Sequence, residues 1–255
     1  MNESLLQHFD TIGLEQLGDK QLLNRIDRKF YLKLSLLPDL LSQLTRHYSV
    51  LEVNGQRCIS YQTHYFDTAE RTFYTMHHNG RSRRLKIRHR SYGSGGSNYW
   101  EIKLRDNKLR TRKLRMATNC AASVIEELNT WIKNFDNLVN HKIEPVLAVG
   151  YNRFTLVSNF MAERVTIDTN LFFEHSGKTA AFDGLAIVEV KQSSLKGSIA
   201  AEAVKAMGIR QGGLSKYCTG LSALDSKLKQ NNFKPKLRAL QQMLIFPDCK
   251  PTFYA

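Results

Sequence analysis

Charged and apolar residues alternate regularly in the middle of the chain. Lys86, Arg88 and Arg90 occupy every second position, with Ile87 and His89 between them. Successive side chains of a β-strand point to opposite faces, so this pattern predicts a strand with its basic residues on one face. The same reasoning predicts four strands in this region, at 59–66, 83–92, 99–104 and 109–116.

Turn-forming residues separate these strands. Asn79 and Gly80 form a typical hairpin dipeptide, 93–97 is a glycine-rich loop, and Asp106 with Asn107 suits a tight turn. The region is therefore predicted to be an antiparallel meander. Further strands are expected at 145–154, 164–173 and 186–190.

Apolar residues at helical spacing predict helices before, within and after the strand-rich region. The clearest examples are a leucine-rich segment that begins at Ser35 and a segment that begins with the capping pair Ser123 and Glu126. Helices are expected at about 3–17, 35–46, 123–139 and 198–207, and in a C-terminal helical segment at about 221–246.

The apolar faces of the strands predict the fold class. Glu101, Lys103 and Arg105 share one strand face, while Trp100 and Ile102 lie on the other. A sheet of this kind buries its apolar face against helices, which predicts an α+β domain. If the sheet is open, the charged face is solvated, as is usual for antiparallel sheets. If it closes into a barrel, the charges line a lumen.

The excess of basic residues in the composition predicts an anionic binding partner. The 255 residues include 37 Lys+Arg and 23 Asp+Glu, a formal net charge of +14. Such a charge attracts phosphorylated ligands, nucleic acid or anionic membrane surfaces. The four cysteines form no CxxC pair, and neither a signal peptide nor a membrane-spanning apolar segment is expected. A single cytoplasmic domain, 1–255, is expected, and a membrane-protein partner is left open.

Carboxylates recur among the cations of the charged strand faces. Arg164 and Asp168 share one predicted face, and Glu189 and Lys191 share another. Phosphoryl chemistry requires cations for the phosphate oxygens and carboxylates that hold Mg²⁺ or Mn²⁺. The combination points to a polyphosphorylated ligand bound together with a divalent metal.

An ordered series of short motifs resembles the vacuolar transporter chaperone (VTC) domain of the triphosphate tunnel metalloenzyme, or CYTH-like, superfamily. The motifs are RKFY at 28–31, YFDT at 65–68, KIRHRSY at 86–92, WEIK at 100–103, YNR at 151–153, RVTID at 164–168, VEVK at 188–191 and LSKY at 214–217. The resemblance implies a closed antiparallel barrel of about eight strands around a basic tunnel. It also implies a metal-dependent polyphosphate polymerase that transfers the γ-phosphate of ATP to a growing polyphosphate chain.

The resemblance further implies roles for individual residues. The implied ligands of ATP or polyphosphate are Lys29, Arg88, Arg90, Lys103, Lys113, Arg153, Arg164, Lys191, Ser215 and Lys216. The implied catalytic residues are Lys103, Arg164, Lys216 and Glu189. Glu189 is also the implied ligand of Mn²⁺ or Mg²⁺, with Glu101 as a second candidate and Asp168 as an alternative to it.

One departure from the superfamily pattern favours chain binding over hydrolysis. Hydrolase and cyclase members typically begin with Glu-x-Glu-x-Lys, whereas this sequence reads RIDRK at 25–29. Arg25 in place of a carboxylate removes a metal ligand and adds a phosphate ligand. A tunnel-fold triphosphatase or a nucleotide cyclase is the alternative enzyme.

A non-catalytic module that binds polyanions or nucleic acid is the third interpretation. Proteins that bind single-stranded nucleic acid place aromatic side chains among their cations. Here the basic residues alternate with Ile, Val and Leu, so nucleic acid is the least favoured partner. His64, His77, His78 and His89 match no metal-binding motif and are expected to be structural or solvated.

Overall fold

The computed structural model describes residues 3–20, 25–93, 96–106, 111–118, 142–194 and 197–243. These residues contain one large, mostly antiparallel sheet and five α-helices, which confirms the α+β class. The strands are β1 Thr11–Ile12, β2 Ile26–Lys33, β3 Tyr48–Leu51, β4 Ile59–Thr68, β5 Arg84–Tyr92, β6 Asn98–Arg105, β7 Thr111–Thr118, β8 Ile143–Ser158, β9 Glu163–His175, β10 Lys178–Phe182, β11 Leu185–Gln192 and β12 Gln211–Gly212. The helices are α1 Leu37–Leu44, α2 Thr72–His78, α3 Ile199–Ala206, α4 Lys216–Leu224 and α5 Lys234–Met243.

The strand order of the sheet is β12-β2-β11-β9-β8-β4-β5-β6-β7. The strands β4 to β7 are neighbours in sequence order, so the predicted meander is confirmed. β10 pairs with β9, and β3 pairs with β8 and in parallel with β1. Within the described ranges, no backbone hydrogen bonds join β7 to the other end of this order, so hydrogen bonding does not close the sheet.

The strand register brings charged residues into rows that cross the sheet. Three of these cross-strand rows are Lys86–Lys103–Lys113, Arg88–Glu101–Arg115 and Lys29–Glu189–Thr166. Direct partners in a sheet point to the same face, so the alternation seen in each strand becomes one continuous charged face.

The opposite face of the sheet is apolar and covered by helices. α1 contributes four buried leucines, and α3 packs beside it over the same core. Sheet residues such as Phe30, Ile167 and Val188 complete this core. A separate apolar cluster on β5 and β6 is centred on Ile87, Trp100 and neighbouring residues. The cover expected from 35–46 and 198–207 is confirmed, and the helix expected at 123–139 lies outside the described residues.

Helix α4 packs on the charged side of the sheet, where it covers one end of the charged face. Its Tyr217 stacks on Tyr65, with ring centroids 5.1 Å apart, and Tyr65 is the cross-strand partner of Arg88. The helix approaches closely because Gly220 has no side chain, and an added Cβ would lie 2.4 Å from the ring of Phe173. Gly220 therefore fixes the position of α4 relative to the sheet.

Gly220→Ala is expected to lower the free energy of unfolding by about 1–3 kcal/mol, because a methyl group would overpack a buried interface. Helix propensity alone predicts the opposite sign, a gain of roughly 1 kcal/mol. Urea unfolding of the variant measures the net effect. Gly213→Ala is the matched control, since its Cβ would have no neighbour closer than 3.9 Å. A variant as stable as the wild type would contradict the close approach.

Three local predictions differ from the structure. The helix expected at about 3–17 is replaced by 3₁₀ turns at Glu3–Leu6 and Glu15–Lys20, because the backbone between them pairs with β3. Asn79 and Gly80 do not form a hairpin but end α2, where Gly80 has a positive φ and its N–H donates to the carbonyl of His77. The C-terminal helical segment expected at about 221–246 begins earlier than predicted, at Lys216 in α4, and its second helix, α5, begins at Lys234.

None of the helices in the described part of the chain is long and apolar enough to cross a membrane.

Candidate anion-binding site

The charged face contains three carboxylates that are buried or half-buried, and cations surround each of them. Glu101, 3% exposed, is the first. Its Oε2 lies 2.5 Å from Nη2 of Arg88 and 3.7 Å from Nη1 of Arg90, and its Oε1 lies 2.9 Å from Nζ of Lys113. Nε of Arg115 lies 3.9 Å from the same Oε1. Four cations from β5 and β7 therefore share one carboxylate of β6.

Asp168 of β9 is the second buried carboxylate, also 3% exposed. The guanidinium of Arg153 on β8 binds it with two hydrogen bonds, 2.5 Å from Nε to Oδ1 and 2.7 Å from Nη2 to Oδ2. Nζ of Lys216 also donates to Oδ2. Lys216 is the first residue of α4, so this contact connects the helix to the sheet.

Glu189 of β11 is the third carboxylate, and two lysines contact it. Lys29 on β2 donates to Oε1, and Nζ of Lys191 lies 3.0 Å from Oε2. Lys191 also donates to Oγ1 of Thr166 at 3.2 Å. All three carboxylates thus sit among more than one cation, and the face retains an excess of positive charge.

The cations lower the carboxyl pKa values, although burial acts against them. Burial raises the pKa of Glu101, but Arg88, Arg90 and Lys113 outweigh it and hold the pKa at about 2. Burial likewise opposes ionisation of Asp168 and Glu189, and their cationic neighbours again hold each pKa well below its ordinary value. The three groups are therefore ionised at neutral pH.

The free energy of unfolding is expected to fall as the pH is lowered from about 4.5 towards 2. The pKa of Glu101 is 4.5 without its neighbours and about 2 in the folded chain, so the unfolded chain takes up its proton first. The stabilisation is present above pH 4.5 and is lost as the pH approaches 2. Its size for Glu101 is on the order of 3 kcal/mol. Urea unfolding at several pH values in a metal-free buffer measures it, and a flat profile below pH 4.5 would contradict the ion cluster.

Side chains from distant strands meet across the charged face. Nζ of Lys86 on β5 donates to Oγ of Ser215, 2.9 Å away, just after β12. Burial lowers the pKa of Lys103 on β6, and the charges of Asp27 and Lys29 on β2 act on it as well. These interactions connect β5 and β6 with β2 and with the segment after β12, so the sheet curls around its charged face.

Lys86 is a member of this cluster that the sequence reasoning did not select as a ligand, although it shares a strand face with Arg88 and Arg90. Burial lowers the pKa of its ammonium group. Its strand position was the available signal, since every second residue from 86 to 90 points to the same face.

The N-terminus of α4 is held at the charged face by buried polar contacts. Oγ of Ser215 accepts the N–H of Cys218 at 3.3 Å and so caps the helix. Tyr217 donates its hydroxyl to Asp67. Asp67 also accepts the backbone N–H groups of Thr68 at the end of β4 and of Phe73 and Tyr74 in the first turn of α2. Asp67 therefore connects α2, α4 and the sheet.

Arg164 and Lys113 lie at the margins of the charged face. Arg164 is the cross-strand partner of Lys191, and burial lowers its pKa, as does the charge of Arg25. The Lys113 side chain is partly exposed while it contacts Glu101. All the candidate ligands identified in the sequence therefore belong to this face or to the adjacent start of α4.

Tyrosines also lie among the cations, contrary to the sequence expectation of only Ile, Val and Leu. The expectation was based on the residues directly before and after each cation in the sequence, and those residues point to the opposite face of the sheet. The tyrosines lie on the charged face itself. They are Tyr61, Tyr65, Tyr92, Tyr99 and Tyr151. His89, by contrast, lies on the apolar face against Trp100, with ring centroids 5.1 Å apart.

The donor set fits a divalent metal that arrives with a phosphate ligand. In the described part of the chain, no three His, Cys, Asp or Glu side chains are grouped as a metal cage. Mg²⁺ in phosphoryl-transfer sites is commonly held by one or two carboxylates together with substrate phosphates. Glu189 offers one such carboxylate, and Oγ1 of Thr166 lies 3.5 Å from it.

Arg88→Ala is expected to weaken binding of tripolyphosphate by about 1–3 kcal/mol, because it removes a charge-assisted donor from the charged face. His89→Ala is the matched control from the next position of the same strand, and it is expected to leave the affinity unchanged. Titration calorimetry in dilute salt measures both. An equal loss in the two variants would contradict the assignment of the faces.

The curled antiparallel sheet with a charged inner face defines a class of protein, the triphosphate tunnel or CYTH-like fold. A proposed adenylyl cyclase from Hippeastrum, whose structure was described as revealing a dominant triphosphatase activity, is 14% identical with a TM-score of 0.51, over 79% of this chain and 96% of that one. A proposed adenylate cyclase from Bacillus halodurans is 13% identical with a TM-score of 0.50, over 75% and 93% of the two chains. At these identities the likeness establishes the fold.

The particular family is given by the sequence. The model of the VTC domain matches residues 24–225, which is most of the chain. The chain belongs to the VTC domain family, as the ordered motifs had indicated. No curated protein matches the chain at a significant level.

Proposed function

We propose that the charged face closes into a tunnel that binds a metal-bound nucleoside triphosphate or polyphosphate. The hydrogen bond from Lys86 to Ser215 supports the closure, because it spans the face from β5 to the segment after β12. In this arrangement side chains complete the barrel where backbone hydrogen bonds do not. A water-poor interior would strengthen the attraction between the cations and a polyanion.

One observation carries the proposal: the cations of the charged face outnumber the carboxylates that they contact, and of these cations Arg90 is buried and Arg88 is half-buried. Arg88, Arg90 and Lys113 lie within 4 Å of the single carboxylate of Glu101. Burying a charge without a full complement of partners is costly, so the arrangement calls for an additional anion. A chain of phosphates supplies several negative charges along a narrow path and suits a tunnel lined by cations from many strands.

The proposed reaction moves the γ-phosphoryl group of ATP to the terminal oxygen of a polyphosphate chain. The bond between the β,γ-bridging oxygen and the γ-phosphorus breaks, ADP leaves, and a new P–O–P bond lengthens the acceptor by one phosphate. Lys103, Arg164 and Lys216 would stabilise the charge on the transferred group and position it. Glu189 would hold Mn²⁺ or Mg²⁺, which would neutralise phosphate charge when bound. Lys29, Arg88, Arg90, Lys113, Arg153, Lys191 and Ser215 would bind the remaining phosphates.

Incubation of the purified protein with ATP and Mn²⁺ tests this function when products are resolved by chain length. Polyphosphate and ADP are expected, and chelation of the metal should stop their formation. Inorganic phosphate and ADP without chains would identify a triphosphatase. Cyclic AMP with pyrophosphate would identify a cyclase. If the protein shows no turnover and binds a sulfated polymer as tightly as tripolyphosphate, its charged face would be only a non-catalytic surface that binds polyanions.

A further inference from the structure

A row of tyrosine rings crosses the sheet on its charged face. The rings of Tyr151 on β8 and Tyr61 on β4 stack with centroids 5.1 Å apart. Tyr61 then meets Tyr92 on β5 at 4.8 Å, and Tyr92 meets Tyr99 on β6 at 5.7 Å, both edge to face. Four neighbouring strands thus present one continuous aromatic surface.

Arginines are interleaved with these rings. Cζ of Arg115 on β7 lies 3.6 Å from the ring centroid of Tyr99 and 5.6 Å from that of Tyr92. Cζ of Arg153 lies 5.0 Å from the Tyr61 centroid. Arginine over a tyrosine face is a favourable cation–π arrangement, and flat guanidinium groups and aromatic rings are the surfaces on which nucleobases stack.

This tyrosine–arginine row borders the cluster around Glu101. Arg90 belongs to both, because its guanidinium lies 3.7 Å from Glu101 and its Cζ lies 5.5 Å from the Tyr61 centroid. Tyr99 precedes Glu101 by two residues on β6, which is roughly 7 Å along a strand. The ribose and α-phosphate of a nucleotide provide a separation of this order between its base and its outer phosphates.

The row leads from the interior of the site to its surface. Tyr151 is 3% exposed, Tyr92 and Tyr99 are half-buried, and the side chain of Arg115 is 44% exposed. The outer end is therefore accessible to a ligand whose phosphates reach inwards. A bare polyphosphate chain has no planar group and would gain nothing from these rings.

We propose that the outer part of this row, Tyr92, Tyr99 and Arg115, binds the base of a nucleoside triphosphate whose phosphates lie among the cations around Glu101. The proposal rests on the proposed function, because it needs a triphosphate on the charged face. It names the nucleotide donor, rather than the phosphate chain, as the ligand at this end. Stacking on ring faces tolerates any base, so the site selects nucleotides over inorganic polyphosphates without selecting strongly among bases.

The test compares ATP with tripolyphosphate, each with Mg²⁺, by titration calorimetry. Tyr99→Leu is expected to weaken ATP binding by about 10-fold, in the range of a lost base–aromatic stack, and to leave tripolyphosphate binding unchanged. Tyr92→Leu provides a second removal of the platform with the same expectation. Tyr99→Phe keeps the ring and should keep the ATP affinity. Phe160→Leu removes an aromatic side chain, 72% exposed, that lies outside the site, and should alter neither affinity.

Equal losses for ATP and tripolyphosphate in Tyr99→Leu and Tyr92→Leu would overturn the base site, because the rings would then act only by supporting the cations. Unchanged ATP affinity in both variants would also overturn it. Failure of the wild-type protein to bind either ligand would instead refute the proposed function itself. Tripolyphosphate binding without any ATP-specific effect would refute the base site alone.

Discussion

Glu189→Gln is expected to abolish metal-dependent turnover and to leave tripolyphosphate binding at least as tight as in the wild type. The amide keeps the shape of the side chain but removes the negative charge that would hold Mn²⁺. Lys29 and Lys191, which contact this carboxylate, would then be free to contact phosphate. Rates at saturating Mn²⁺, together with separate titrations of metal and tripolyphosphate, measure the two effects.

The matched control for this substitution is Glu174→Gln, which alters an exposed glutamate on the neighbouring strand β9. It should change neither turnover nor metal affinity. Activity retained in Glu189→Gln, with unchanged metal affinity, would show that Glu189 serves only as an ion-pair partner. Glu101 and Asp168 would then be the remaining carboxylates for the metal.

Asp168→Asn is expected to lower the free energy of unfolding by about 3–5 kcal/mol in the absence of ligand, because it leaves buried cations without their counter-charge. Arg153 donates two hydrogen bonds to this carboxylate, and Lys216 donates a third. The amide can accept only part of this set, and it carries no charge. Urea unfolding of the ligand-free protein measures the loss.

Tripolyphosphate should restore much of the stability lost in Asp168→Asn, because bound anion replaces the missing negative charge and binds only the folded state. Asp183→Asn, a change of an exposed aspartate after β10, is the control and should show neither the loss nor an enhanced response to ligand. A destabilised Asp168→Asn that does not respond to tripolyphosphate would place Arg153 and Lys216 in a purely structural network.

The sequence alone determined which residues share a strand face. Alternation has a period of two, and that period is a property of the extended backbone, so Arg88 and Arg90 were assigned correctly to one face and Ile87 to the other. The leucines of α1 were predicted for the same kind of reason, because their spacing follows the helical repeat. Regular local patterns of this type survive folding when one face is buried.

Local signals failed where one short sequence suits two structures. Asn79 and Gly80 allow the backbone conformations of a hairpin turn, and they also suit the end of a helix, where a glycine with positive φ is favoured. The neighbours that decide between these outcomes belong to α2, whose first backbone N–H groups are bound by Asp67. The sequence of the dipeptide alone does not indicate whether such a partner is present.

Tertiary structure decided which charged faces meet and which residues complete the site. Lys86 reaches Ser215 and Lys216 reaches Asp168 only because α4 is docked against the charged side of the sheet. The row of tyrosine rings from Tyr151 to Tyr99 likewise depends on the register of four strands. In the sequence, each of these tyrosines is indistinguishable from an ordinary strand residue. Strand periodicity depends on neighbouring residues, whereas register and helix docking are set by packing between segments far apart in the chain. The sequence pattern therefore identified the face on which each side chain lies. Only the folded chain brought these faces together into a site.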